Sequence, residues 1–192
     1  MHRLQMSKNK LEFFLLTLLL IITRFWDVIT TYMVTPDLER ETNPLVSIFG
    51  RGWVAVIIFQ VILVSIIIIL NYLSLFKIKS SYPSQKGYSY KEFIMYYYFG
   101  KEENLIKMIY KFPQDKVTLI KLLGYVLPRA LIVISIFIST SSTFLIISSD
   151  YSEFYAVAKP YYYIVLIGIA FLFIILFFKR EYGIYQKIPA DK

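Results

Sequence analysis

Four long apolar blocks, at about 11–34, 53–76, 122–147 and 160–178, alternate with polar, charge-bearing connections along this 192-residue chain. The hydrocarbon core of a bilayer is about 30 Å thick and takes about 20 apolar residues of helix, so the pattern predicts four spanning helices. Runs such as 61–70 do not alternate between apolar and polar. That excludes a transmembrane barrel, whose strands alternate faces. Isolated strands are excluded as well, because lipid offers their backbone no hydrogen-bond partner. The expected class is therefore all-α: a four-transmembrane-helix bundle in a single integral membrane domain over residues 1–192. The basic leader and first block resemble a secretory signal, but Arg24, Phe25, Trp26 and Asp27 stand where small residues would mark cleavage. The block is read as retained.

The connections predict less regular elements. Residues 35–52 form a charged loop ending in Asn43-Pro44, a good helix start because Asn caps and Pro has no donor to lose. The second helix is thus expected to begin at Pro44 and bend near Gly50 and Gly52. In the long 77–121 loop, residues 80–89 read as a mobile linker. Residues 101–112 read as an interfacial helix between spans 2 and 3, opened by Glu102 and Glu103 and stopped by Pro113. Its apolar face would be Leu105, Ile106, Ile109 and Phe112, with Lys107 and Lys111 beside it, and it is expected to meet anionic headgroups.

Composition sharpens this picture. The chain is 57% hydrophobic and 18% charged, with a net charge of +8 and a mean hydropathy of +0.58. The excess charge lies in the connections, which argues for membrane orientation and against nucleic acid. The leader, the 77–121 loop and the tail together hold sixteen lysines and arginines, against three (Arg40, Arg51 and Lys159) on the opposite side. By the positive-inside rule both termini are expected in the cytoplasm, and a prokaryotic plasma membrane is the expected location. There is no cysteine, and the one histidine is His2. Disulfides, thiolate chemistry and His-based triads or metal clusters are therefore excluded. No cofactor is expected.

Polar residues inside the blocks carry the remaining information, since ionisable groups there are costly and face the bundle interior. Arg24 and Asp27 are three apart and can pair on one helix face, with Thr31 continuing the stripe and Thr23 and Thr30 along its other edge. Asp27 and Gln60 each lie seven residues from the end of their block remote from the termini, and the run 139–143 lies four to eight. At about 1.5 Å per residue, three spans place polar groups at one depth. Arg129 stands apart, near the opposite face, where it is expected to snorkel. Glu39, Glu41 and Asn43 would fold over the mouth of such a layer. The candidate ligand-binding set is Arg24, Asp27, Thr30, Thr31, Glu41, Asn43, Gln60, Thr140 and Thr143.

Two functional readings follow. In the first the protein is no enzyme: it binds a polar ligand, a lipid headgroup or a partner span through an outward-facing polar pocket, as a transporter or accessory subunit. A protein partner or a homo-oligomer fits this reading. In the alternative, Asp27 and Glu41 act on a lipid or lipid-linked headgroup as paired carboxylates. Asp27-x-x-Thr30-Thr31 followed by Glu41-x-Asn43-Pro44 is similar to the pattern of a small, functionally uncharacterised prokaryotic membrane-protein family, with an Asp/Thr first span and a Glu-x-Asn-Pro lead into the second. The resemblance covers residues 23–60. It implies that Asp27, Thr31, Glu41 and Asn43 belong together, and it implies no activity.

Overall fold

The computed structural model describes residues 2–38 and 52–188. Four helices in it are long and apolar enough to cross a membrane. They are α1 (His2–Val34), α2 (Trp53–Tyr72, continued by a π-helical turn Leu73–Lys77), α4 (Lys116–Ile147) and α5 (Ser149–Tyr185). A shorter helix, α3 (Tyr90–Phe99), and a 3₁₀ turn, Leu105–Ile109, fill the connection between α2 and α4. No strand occurs among the described residues. The helix start expected at Pro44 lies outside them.

The bundle is organised around α4, which packs against each of the other three spans. Its sequence explains why. One stripe carries Gly124, Pro128, Ile132, Ser135 and Ser139, all buried, and meets α1 and α2. Small residues on it let backbones approach closely, which is how helices associate where lipid removes the hydrophobic drive. Gly124 shows the limit: a Cβ there would lie 2.4 Å from the Leu70 carbonyl oxygen and 2.5 Å from Ser74 Cβ. Ile132 joins Leu20 of α1 and Ile67 of α2 in a small apolar core. The other stripe, with Val126, Ala130 and Ile134, faces Phe173, Phe177 and Phe178 of α5.

The 148–159 connection expected between the last two spans is not a loop. Only Ser148 breaks the helix, accepting a hydrogen bond from Tyr151 N as the N-cap of α5. Asp150 in the first turn suits the helix dipole, so polar residues that read as a loop extend α5 by about three turns. Long apolar side chains of α2 and α5 that face away from α4, such as Val61, Ile66, Ile164 and Ile167, are exposed and suit contact with lipid tails.

The larger core lies at the end of the bundle that carries the termini, hereafter the basic end. Ser89 and Glu92 form a capping box at the start of α3, and Gly100 closes it with a left-handed φ of 70°. Six of its ten residues are buried, so a helix with no clear polar face packs on nearly every side. Phe93, Tyr97 and Tyr98 pack with Phe177, Phe178 and Tyr185. The aromatic run of residues 93–99 is thus a core helix.

Two expectations for this region are corrected. Residues 80–89 are docked, not loose: Tyr185 donates to the Gln85 carbonyl at 2.8 Å, Tyr182 to the Tyr88 carbonyl at 3.1 Å, and Lys86 to the Ile188 carbonyl at 3.1 Å. Tyrosines far away in sequence supply the partners that the local composition lacks. The helix expected over 101–112 shrinks to the 3₁₀ turn Leu105–Ile109, capped by the Asn104 side chain on Ile106 N at 3.0 Å. Gly100 has already turned the chain, and Lys111 and Gln114 return to bond Tyr98, leaving no room for three helical turns.

Candidate functional site

The polar level is built on α1 and α4. Arg24 Nη1 lies 2.7 Å from Asp27 Oδ2 and donates to Ser135 Oγ of α4 at 3.0 Å. The i, i+3 spacing that the sequence shows is thus used, and the arginine also bridges two helices. Both side chains are nearly enclosed, at 11% and 12% exposure. Thr23, Asp27 and Thr30 are buried, whereas Thr31 is half-buried, so the inward face of α1 runs along the 23–27–30 edge. The hydroxyls of Thr23 and Thr30 return to backbone carbonyls of their own helix. That satisfies them cheaply in an apolar setting.

On α4, Ser135 and Ser139 are fully buried. Thr143 donates to the Ser139 carbonyl at 2.7 Å, and Thr140 is half-buried. Gln60 of α2 is half-buried. Five buried polar atoms have no hydrogen-bond partner among the described residues: Arg24 Nε, Gln60 Oε1 and Ser139 Oγ on three helices, and Thr17 Oγ1 and Asn71 Oδ1 nearer the basic end. Glu39, Glu41 and Asn43 lie outside the described residues. The ends of that loop are anchored by Trp53, whose indole donates to the Pro36 carbonyl at 2.7 Å and whose ring meets Tyr32 edge-on.

A hydroxyl cluster that sequence reasoning missed sits beside this level. Ser141 bonds Tyr151 at 2.9 Å and Tyr162 at 3.1 Å, and the two phenols bond each other. Of the three consecutive tyrosines at 161–163, Tyr162 turns inward while Tyr161 and Tyr163 stay exposed. The helical spacing of Tyr151, Tyr155 and Tyr162 was a usable signal, hidden because 148–159 read as a loop.

Two arginines nearer the basic end gather around one carboxylate. Arg129 does not reach out to the headgroups as expected. It pairs with Glu12 of α1, donates to the Tyr125 carbonyl at 2.8 Å and lies over the Tyr125 ring at 3.9 Å. Arg180 of α5 stands 3.9 Å from the same Glu12 carboxylate. Helical reach placed a carboxylate beside Arg129 that no local spacing announced.

Glu181 forms a second hub missed by the sequence. Its side chain is buried, and one carboxylate oxygen accepts from Ser80 at 2.7 Å, Tyr82 at 2.9 Å and Tyr97 at 3.3 Å. Burial, followed by the charge of Glu181, pushes the Tyr97 phenol above its ordinary range. Burial likewise raises Tyr82.

Two surface cavities, of about 440 and 430 Å³, also lie at the basic end, one bordered by Lys91, Met95 and Glu102–Leu105 and the other by Lys86, Tyr88 and Tyr182. Neither borders the polar level. Comparison with protein families, curated proteins and solved structures finds no match to this chain.

Proposed function

We propose that this chain is a small multi-pass protein of a prokaryotic plasma membrane, with both termini cytoplasmic, that binds a polar ligand without transforming it. The site would be the level of Arg24, Asp27, Gln60 and Ser139 in the outer half, with Thr30, Thr31, Thr140 and Thr143 around it and Glu41 and Asn43 above its mouth. One observation carries the reading: Arg24 Nε, Gln60 Oε1 and Ser139 Oγ are buried without partners among the described residues. An unsatisfied buried polar group costs about 1–3 kcal/mol, and a ligand offering both donors and acceptors would recover that on three helices at once.

The Arg24–Asp27 pair at 2.7 Å supports binding over catalysis. A carboxylate already engaged by a guanidinium is fixed in place, which suits recognition of a polar group. The grouping of Asp27 and Thr31 with Glu41 and Asn43 that the family resemblance implies is part of this proposal.

The test is thermal-shift screening of the purified protein against headgroup analogues, nucleosides, amino acids and divalent ions. One class is expected to raise the melting temperature of the native protein and to lose that effect in Asp27→Asn and Glu41→Gln variants that fold normally. No responding class, with Asp27→Asn unstable and Glu41→Gln unchanged, would mean that the layer only packs the helices.

A further inference from the structure

In a 3₁₀ turn, side chains three apart eclipse. Leu105 and Met108 therefore share one line, and both pack into the aromatic core. Ile106 and Ile109 share the next, and Phe112 follows just beyond the turn. These three are 67%, 75% and 81% exposed, and neighbouring Tyr110 is 66% exposed. Outside the spanning helices, no other described residue leaves so large an apolar side chain so bare. A contiguous apolar surface of this kind marks an interaction site.

The position of the stripe says what covers it. The segment is fastened to α3, with Tyr98 donating to the Lys111 carbonyl at 2.8 Å and Gln114 N donating to the Tyr98 carbonyl at 2.9 Å. In turn α3 is fastened to α5 inside its apolar block: Tyr90 reaches the Ile175 carbonyl at 3.5 Å. Ile175 lies three residues before the end of that block at 178, about 4.5 Å along the helix axis. The core that holds Leu105 and Met108 also contains Phe173 and Ile174 of α5 and Ile134 of α4. The lobe therefore sits at the membrane boundary and not out in water. Four residues after Phe112 the chain enters α4 at Lys116.

Charge decides which surface is met. Lys101, Lys107, Lys111 and Lys116 flank the stripe. Glu103 pairs with two of them, at 2.5 Å from Lys107 and 3.4 Å from Lys111, and with Glu102 and Asp115 counted the segment 101–116 keeps one net positive charge. Basic residues around an apolar surface favour anionic lipid.

We propose that Ile106, Ile109, Tyr110 and Phe112 form a foot inserted into the headgroup–acyl boundary of the leaflet at the basic end, with the flanking lysines set against anionic lipid phosphates. This surface is separate from the polar level and does not depend on the ligand reading. The foot would clamp the α3 lobe between α5 and the bilayer.

The absence of native cysteine allows a direct test on the full chain. Ile109→Cys and Phe112→Cys, each nitroxide-labelled, are compared with Ser84→Cys on the exposed linker, in nanodiscs with and without phosphatidylglycerol. Collision with oxygen and with a water-soluble nickel chelate reports depth. With anionic lipid present, both stripe positions are expected to be several-fold less accessible to nickel than Ser84→Cys while remaining open to oxygen. Adding Lys107→Glu and Lys111→Glu should raise nickel access several-fold. Nickel access equal to that at Ser84→Cys would place the stripe in water. Shielding from both probes would place it against protein. Either result overturns the foot, and equal shielding in uncharged discs overturns the role of anionic headgroups.

Discussion

Tyr97 of α3 donates its hydroxyl to the buried carboxylate of Glu181 on α5 at 3.3 Å, tying the segment between α2 and α4 to the end of the last span. Ser80 and Tyr82 bond the same oxygen. Glu181→Ala would leave three hydroxyls facing an apolar hole. The expected loss is about 3 kcal/mol, since hydrogen bonds to charged groups are worth about 1.5–3 kcal/mol, with Glu181→Gln milder. Thermal unfolding and protease cleavage at residues 80–89 check this; an intact, protease-resistant linker in the alanine variant would contradict it.

The same tyrosines set an alkaline limit. Burial raises Tyr82 and Tyr97 above the ordinary phenol value of 10.0. A group raised in the folded state contributes stability that is complete below its unfolded value and is lost as pH climbs above it. Raising the pH past 10 should therefore loosen the basic end, and phenolate absorbance should show these two tyrosines ionising only as the lobe opens. Normal titration of both in the folded protein would refute the coupling.

Glu103 sets the corresponding acid limit. Its hydrogen bond from Lys107, chiefly, holds its carboxyl down at about 2. A depressed carboxyl contributes stability that is complete above its unfolded value of 4.5 and fades as pH falls toward about 2. Amide exchange across Leu105–Ile109 should accelerate through that window in the native protein and show no such step in Glu103→Gln.

At the opposite end, Arg24 and Asp27 pair at 2.7 Å in near-complete enclosure. Removing one partner strands a charge, which typically costs about 3–5 kcal/mol. Asp27→Leu should therefore destabilise more than the double change Arg24→Leu, Asp27→Leu. A double variant less stable than the single one would mean that Arg24 has another carboxylate partner.

Close helix contact makes a further prediction at Gly124. With the Leu70 carbonyl oxygen 2.4 Å from any added Cβ, Gly124→Ala must push α2 away from α4, at a cost of about 1–3 kcal/mol for overpacking. Gly168, whose added Cβ would meet nothing within 4 Å, is the control: Gly168→Ala should leave the melting temperature nearly unchanged.

The four spans were legible in the sequence because lipid leaves the backbone few options: a block of about 20 apolar residues must become a helix. The same periodicity showed Arg24 beside Asp27, since three residues nearly complete a helical turn. What local pattern does not carry is which distant group answers a polar one. Residues 80–89 have the composition of a mobile linker, yet Tyr182, Tyr185 and Glu181 dock them from about 100 positions away. Arg129 read as a snorkelling side chain until the packing of α1 on α4 set Glu12 beside it. Residues 101–112 have helical spacing, but the left-handed turn at Gly100 and the return to Tyr98 leave space for one 3₁₀ turn. Burial in lipid is decided residue by residue along the chain. The pairing of hydroxyls, carboxylates and guanidiniums depends on which helix faces lie together, and only the tertiary structure decided that.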